Sequence, residues 1–243
     1  MDKMLNKTSK DGNSPFLFIG TSHIAKESID EIKKAFDEFS PNVIAIELDR
    51  GRLSSLFSKQ KSQPSLFSLI SQIGLIGALF VKIGHRIQKR LGNIVGVEPG
   101  SEMKQAVLLA REYSLPILLI DQDIRITMRH LSKAFGIKEG FTIFKEIIFA
   151  PFSKKERVQI DISKVPDEKQ VEKIIQEMKK RYPSLYNVLI EERNRYMKKR
   201  LEEFHSKFPD KKILVVTGEG HRAWLEKNIN KISTQEKDSK QKL

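Results

Sequence analysis

The chain of 243 residues contains no cysteine. That excludes disulfides and thiolate metal sites, so any metal would be held by imidazole, carboxylate or water. It also suits a cytoplasmic protein. The N-terminus is polar and lacks the apolar core of a secretory signal. Internal repeats and Gly/Ser linkers are missing. P-loop, HExxH and nucleophile-elbow motifs are missing as well. Aromatics are mostly Phe inside apolar runs, which does not make an exposed platform for stacking bases. Histidine is scarce, with five in the chain.

What is present is charge. Lys and Arg number 44 against 31 acidic residues, a formal net charge of +13. A basic surface attracts nucleic acid, anionic lipid or acidic peptides. Many basic residues, such as Lys179, Lys180, Lys198 and Lys199, sit among glutamates on helical patterns. They read as solvated helix faces rather than as a specific nucleic-acid surface. A chain of this length buries roughly 70–75% of its unfolded surface as one globule and needs no staple.

Hydrophobic periodicity divides the chain into alternating strands and helices. Residues 1–13 are polar and expected to be disordered. Pro15–Ile19 reads as a strand, Glu27–Phe39 as a helix stopped by Ser40-Pro41-Asn42, and Val43–Glu47 as a second strand. A helical connection of that length favours parallel strands. Ser65–Ile83 is an apolar helix just long enough to span a bilayer, but interrupted by serines, Gln72 and two glycines. A buried, lid or interfacial helix is the better reading. Peripheral membrane contact or a homodimer would use the same surface.

Beyond it lie an extended segment at Val95–Gly100, a helix over 102–113 with Ser101 as N-cap, and a strand at Pro116–Ile120. Helices follow over 124–135 and 141–149. A charged helical stretch spans 167–208, with a break at Tyr182-Pro183. A final strand covers 212–217 and a final helix 221–230. The tail at 233–243 is expected to be disordered. The fold class is α/β: a single domain over 14–232 with a mixed, largely parallel sheet and flanking helices. The apolar helix (64–90) and a helical section (139–208) form an α-helical insertion.

Two Gly-x-x-His motifs stand at opposite ends of this pattern: Gly20-Thr21-Ser22-His23 and Gly218-Glu219-Gly220-His221. Each follows an apolar strand and precedes a helix. Either histidine alone would be an ordinary hydrogen-bonded turn residue. Their matched settings favour a shared site. In a parallel sheet, ligands gather at the carboxyl ends of the strands. His23, Glu47, Asp49, Glu98, Asp121, Asp123 and His221 all follow strand-like runs.

The glycines Gly20, Gly218 and Gly220 permit backbone angles closed to other residues and close approach of a ligand. A histidine at a helix N-terminus is favoured as neutral imidazole, the form that binds metal or acts as a base. Two imidazoles with one or two carboxylates could hold a divalent ion. Glu47 on an apolar strand needs a partner, either a functional one or Arg193. Asp121 and Asp123 could equally cap the following helix. His85, His130 and His205 fit solvated positions, and Arg193 alone fits an exposed helix charge. The run Gly218–Ala223 fits a relaxed dinucleotide fingerprint, but it stands at the last strand with no βαβ unit after it.

Six pieces occur in order: Gly20-Thr21-Ser22-His23; Ile46-Glu47-Leu48-Asp49 with Arg52; Glu98-Pro99-Gly100 with Glu102-Met103 and Ala106; Leu119-Ile120-Asp121 with Asp123-Ile124; Glu192-Arg193-Asn194 with Met197; and Gly218-x-Gly220-His221. This arrangement resembles the TraB/PrgY family, related to the Tiki proteases and more distantly to the erythromycin esterase and ChaN-like group. The likeness covers roughly residues 15–230 and implies an α/β fold with one site built from both motifs. It also implies metal-dependent peptide hydrolysis, as in the Tiki branch. The PrgY branch implies limitation of a secreted peptide pheromone, by degradation or by capture. The matching residues are His23, Glu47, Glu98, Arg193 and His221.

The last motif continues as Arg222-Ala223-Trp224, where relatives more often have a small apolar residue. An inward cation there would weaken metal binding. Many relatives carry a membrane region after this domain; this sequence ends without one, and is expected to be either a soluble branch or the soluble part of a longer protein.

The expectation is a hydrolase of peptides or related amides that uses manganese, cobalt or zinc. His23, His221 and Glu47 would be ligands, Glu47 or Glu98 the general base, and Arg193 the oxyanion or carboxylate partner. Ser22, Gly20, Gly218, Gly220, Asp121 and Asp123 are further candidates. The alternatives are a module that captures a peptide without cutting it, and a basic nucleic-acid-binding protein.

Overall fold

Four short apolar runs, each flanked by turn-forming residues, become strands. They are β1 (Phe16–Thr21), β2 (Val43–Ile46), β3 (Ile117–Leu119) and β4 (Ile213–Gly218). The structure, a computed structural model, describes residues 14–21, 26–58, 65–95, 100–134 and 168–240. The strands form one sheet in the order β1-β4-β2-β3. Each pairing is parallel, which bears out the expected largely parallel sheet; no antiparallel pairing occurs among the described residues.

The last strand lies between the first two. β4 pairs with β1 from Phe16↔Ile213 to Thr21↔Gly218, and with β2 from Val43↔Ile213 to Ile46↔Val216. Every residue of β2 and β4 is buried, as central parallel strands require.

The chain folds as two compact units. The first comprises residues 1–49, 100–121 and 194–243 and contains the sheet. Strand alternation puts Phe16, Phe18, Val43, Ala45, Ile213 and Val215 on one face. They form a core with Met197 and Leu201 of α8 (Glu192–Lys207), and with Leu225 and Ile229 of α9 (Glu219–Lys240). Helices α1 (Lys26–Phe39) and α4 (Ser101–Glu112) pack on each other, α1 also on β1 and α4 on β2. α1 buries Ile32, Ala35 and Phe36, spaced three and four apart.

Three local expectations change. Gly100, in the left-handed conformation (φ 86°), is the N-cap of α4, and Ser101 is its first helical residue. Helix α9 runs to Lys240, past Ser233, because Glu, Lys and Gln continue it and no proline stops it. His205 is not a solvated helix residue: its ring packs edge-on to Phe16 at 5.2 Å.

The second unit, residues 50–99 and 122–193, is helical in its described parts. It contains α2 (Arg50–Phe57), α3 (Leu66–Val95), α5 (Ile124–Ala134), α6 (Glu168–Arg181) and α7 (Pro183–Tyr186). The break expected at Tyr182-Pro183 is present, and a π turn over Asn187–Glu191 follows it. The core joins Leu69, Ile73 and Ala78 of α3 to Met128 and Leu131 of α5 and Val188 of the π turn. The helix expected over 141–149 lies outside the described residues. No described helix is long and apolar enough to cross a membrane.

α3 breaks at Gly74 (φ 79°, ψ 166°). A break frees main-chain groups that must find other partners. The Ser132 hydroxyl supplies both: it donates to the Ile73 carbonyl at 2.6 Å and accepts from the Gly77 amide at 2.8 Å. Arg129 Nε donates to the Gln72 carbonyl at 2.7 Å. Gly77 lets the helices cross closely, since a Cβ there would stand 2.8 Å from the Met128 carbonyl oxygen.

Asp123 precedes α5 and caps it. Its Oδ1 accepts from the Arg125 amide at 2.8 Å, and the Arg125 guanidinium bonds both carboxylate oxygens. Of its two sequence readings, capping is the one seen.

Two predictions follow from these contacts. Ser132→Ala strips two main-chain groups of their partner and should cost about 1–3 kcal/mol in urea unfolding; a loss below a few tenths would show the kink to be self-sufficient. The Arg125 guanidinium holds the Asp123 carboxyl below its usual range, through the side-chain hydrogen bond above all. A depressed folded value means stability present above the unfolded value and lost as pH falls through the folded one. Asp123→Asn keeps a capping oxygen and removes the titration. Below pH ~4 its melting temperature should therefore fall less with acid than the native protein's. Parallel acid-melting curves would refute this.

Candidate active site

Glu47 is the first residue past β2. Its amide continues the ladder, donating to the Val216 carbonyl at 3.0 Å. Its side chain is buried, and an unpartnered buried carboxylate is costly. Oε2 accepts the amide hydrogen of Gly218 at 2.7 Å. Oε1 faces Nε2 of His221 at 3.6 Å. One carboxylate thus ties the ends of β2 and β4 together and touches the second Gly-x-x-His motif.

His221 stands in the first turn of α9 and is buried. Its Nδ1 lies 2.7 Å from Oδ1 of Asn194, itself 1% exposed. An amide oxygen can only accept, so Nδ1 carries the hydrogen there. That directs Nε2 toward Glu47. The pair can take a proton between them, as imidazolium and carboxylate, or a cation. A divalent ion with ligand distances near ~2.1 Å holds neighbouring ligand atoms roughly 3–3.4 Å apart. The 3.6 Å separation is within a few tenths of an ångström of that. These two donors fit part of a metal site. Among the described residues no third His, Asp or Glu joins them in a group able to hold an ion.

Arg222, next to His221, is fastened to its own helix. Its Nε and Nη2 bond Glu219 at 2.9–3.1 Å, and Nη1 bonds Glu226 at 2.8 Å. The two carboxylates offset the charge that would otherwise repel a metal. The same ion pair explains Gly20. A Cβ on Gly20 would overlap the Glu219 carboxylate and stand 2.7 Å from Arg222 Cδ. Close approach is the reason for this glycine. Among the described residues, positive φ at glycine occurs at Gly74 and Gly100, not at Gly20, Gly218 or Gly220.

His23, Ser22 and Glu98 lie outside the described residues. The strand before His23 is placed: Thr21 is level with Gly218 on the neighbouring strand, and its hydroxyl donates to the Thr217 carbonyl at 3.3 Å. The Thr217 hydroxyl is buried with no hydrogen-bond partner among the described residues, which leaves bonding capacity at the end of β4. Asp49 and Asp121, after β2 and β3, are buried in this unit, as is Glu102 in the first turn of α4. Arg193 belongs to the helical unit, where Nη1 donates to the Leu189 carbonyl at 3.3 Å. The partners of Glu47 within the sheet unit include Gly218 and His221. Asp123 is the cap of α5.

Asn194 was read only as part of the Glu192-Arg193-Asn194 run and not as a site residue. Its signal was present: Asn194, Met197 and Leu201 are buried at spacings of three and four. An amide on an otherwise apolar stripe needs a buried partner. Asn194→Leu should convert His221 from the Nδ1–H form to a mixture of tautomers and lower stability by about 1–3 kcal/mol. Ring ¹⁵N shifts decide it. A native His221 protonated on Nε2 alone at neutral pH would overturn this assignment.

Comparison with known proteins places these features in a family. The profile of the TraB/PrgY/gumN family matches residues 4–236. An uncharacterized protein of Methanocaldococcus jannaschii is 35% identical over 215 residues, 88% of this chain and 53% of its own length. The TraB domain-containing proteins of Mus musculus and Homo sapiens are 23% and 22% identical over 245 residues. These alignments cover 90% of this chain and 64% of each relative, so the chain spans about half to two thirds of the relatives it matches. The solved structure of an erythromycin esterase mutant in its open conformation aligns with 84% of this chain and 60% of its own. It does so at 14% identity and a TM-score of 0.31. Since the family profile spans nearly all of its length, the chain belongs to the TraB/PrgY/gumN family.

Proposed function

We propose that this chain is a hydrolase of peptides or related amides, working at the carboxyl ends of β1, β4 and β2 with a divalent metal ion. The observation that carries the reading is the buried Glu47–His221 pair, braced by the Gly218 amide and by Asn194. Bracing of both partners is what a reactive pair needs to hold its geometry. His221 Nε2 and Glu47 Oε1 would be two ligands. The resemblance between the two Gly-x-x-His motifs supports His23 as a third. Manganese, cobalt or zinc suits imidazole and carboxylate donors.

The ion, when bound, supplies a water that ionises near neutral pH and polarises the amide carbonyl. The chain's residues do the rest. With Glu47 anchored through Oε2 and Oε1 on the ion, Glu98 would accept the proton from water; Glu47 Oε1 would take that duty only where it is not a ligand. The hydroxyl adds to the carbonyl carbon, the C–N bond breaks, and the protons pass to the departing amine. Arg193 is assigned to the oxyanion or to a substrate carboxylate. A cytoplasmic location and a lack of specific nucleic-acid binding belong to the same reading.

Metal content of the purified protein, beside His23→Ala and His221→Ala, is the test. Close to one ion per chain, lost in both variants, is the expected result. Glu47→Gln should then lower peptide turnover by roughly 10²–10⁴-fold. Absence of metal at every loading, or its retention in both variants, sinks the reading. Bound but uncut peptide with metal-loaded protein would assign capture instead.

A further inference from the structure

The helical unit exposes apolar side chains of α3 on both sides of its break at Gly74. Leu66, Phe67, Leu75 and Leu79 are 51, 86, 67 and 43% exposed. Leu69, Ile73 and Ala78 of the same helix belong to the core. Single exposed leucines are ordinary, but a phenylalanine almost wholly in water beside three leucines on one helix is not.

The charge around this helix is equally uneven. From Arg50 to Val97 the sequence has eight Lys or Arg and no Asp or Glu. These 48 residues carry +8 of the net +13, leaving 13 − 8 = +5 for the other 195. Four of the eight, Lys82, Arg86, Lys89 and Arg90, are on α3. At 3.6 residues per turn, positions 75, 79, 82, 86 and 89 share one helical face. Exposed leucines therefore run on into basic positions along a single stripe.

We propose that α3 is an interfacial helix that seats this protein on an anionic lipid surface. Phe67, Leu75 and Leu79 would enter the boundary between headgroups and acyl chains, and the basic half would meet lipid phosphates. The helix lies on the bilayer, in keeping with the absence of a spanning helix among the described residues. Charge complementarity selects this occupant. A second copy would bring two acid-free basic segments together and repel. Nucleic acid would satisfy the charge but give the exposed leucines nothing to bury against. The inference is independent of the hydrolase reading.

The test is co-sedimentation of the full chain with vesicles of phosphatidylcholine alone and of phosphatidylcholine mixed with phosphatidylglycerol. Binding should need the anionic lipid and weaken as salt rises. The double variant Phe67→Ser, Leu75→Ser changes exposed positions only and should keep its circular dichroism and melting temperature. It should bind at least about ten-fold more weakly. Lys89→Glu with Arg90→Glu should lose at least as much, roughly five-fold per charge. No vesicle binding overturns the proposal. So does binding that the serine variant leaves unchanged, which is charge attraction alone. A vesicle-independent dimer abolished by the serine variant, or RNA that binds more tightly than the vesicles, overturns it too.

Discussion

The pairing of β4 between β1 and β2 is the constraint on which the α/β unit depends. β1 and β2 are near in sequence but do not touch as neighbours; β4 supplies a ladder to each. The sheet is therefore incomplete until residues 213–218 arrive, nearly two hundred positions after β1. Such pairings are entropically costly to form and reward the chain late, which predisposes it to slow folding. Once made, they set Gly20 and Gly218, which open the two distant Gly-x-x-His motifs, on adjacent strands, in register to within a residue. No local signal could place those motifs side by side with equal accuracy.

The parallel direction of the sheet then sorts polar from apolar. Strands end on one edge, and helices that return antiparallel to them begin on that edge. The buried polar residues of this unit follow that rule. Thr21 and Thr217 end β1 and β4, while Glu47, Asp49 and Asp121 follow β2 and β3. Glu102 stands in the first turn of α4 and His221 and Arg222 in that of α9, while Asn194 lies just past the π turn that leads into α8. Carboxylates in a first turn gain from the exposed amides and dipole of the helix. In the helical unit the buried polar side chains described are Gln122 and Thr127, which bond each other at 3.2 Å. The expense of burying polarity falls on one edge of one sheet.

Much of this was legible in the sequence, and the reasons differ from residue to residue. Strands were legible because central parallel strands are continuous apolar runs of four to six residues. Parallel direction followed from the helical connection between β1 and β2. Glu47 was legible as a residue needing a partner, but the partner was not. A main-chain amide of Gly218 has no signature in composition or spacing. Gly20 was read as a glycine needed for its backbone angles or for the approach of a ligand, whereas the Glu219–Arg222 ion pair of α9 takes the space of its Cβ. Arg222 looked like a threat to His221, and its two glutamates at i−3 and i+4 were in plain view as an ordinary helical pattern. The grouping of residues 50–99 and 122–193 into a separate helical unit depends on tertiary packing, which periodicity does not encode.

A buried Asn–His–Glu row is an expensive way to hold a helix on a sheet. Apolar residues of similar volume would do it as well or better, since a buried ionisable pair often contributes less than the hydrophobic contacts that could replace it. The row has a property that apolar packing lacks: it gives the two imidazole nitrogens different duties. Asn194, rigid on the stripe it shares with Met197 and Leu201, fixes the hydrogen on Nδ1. Glu47, fixed through one oxygen by Gly218, presents the other to Nε2. Each partner is held from outside the pair, by elements that belong to the sheet or pack on it. Local rules of burial are broken here and kept in the surrounding core, the pattern expected where a fold carries chemistry rather than stability alone.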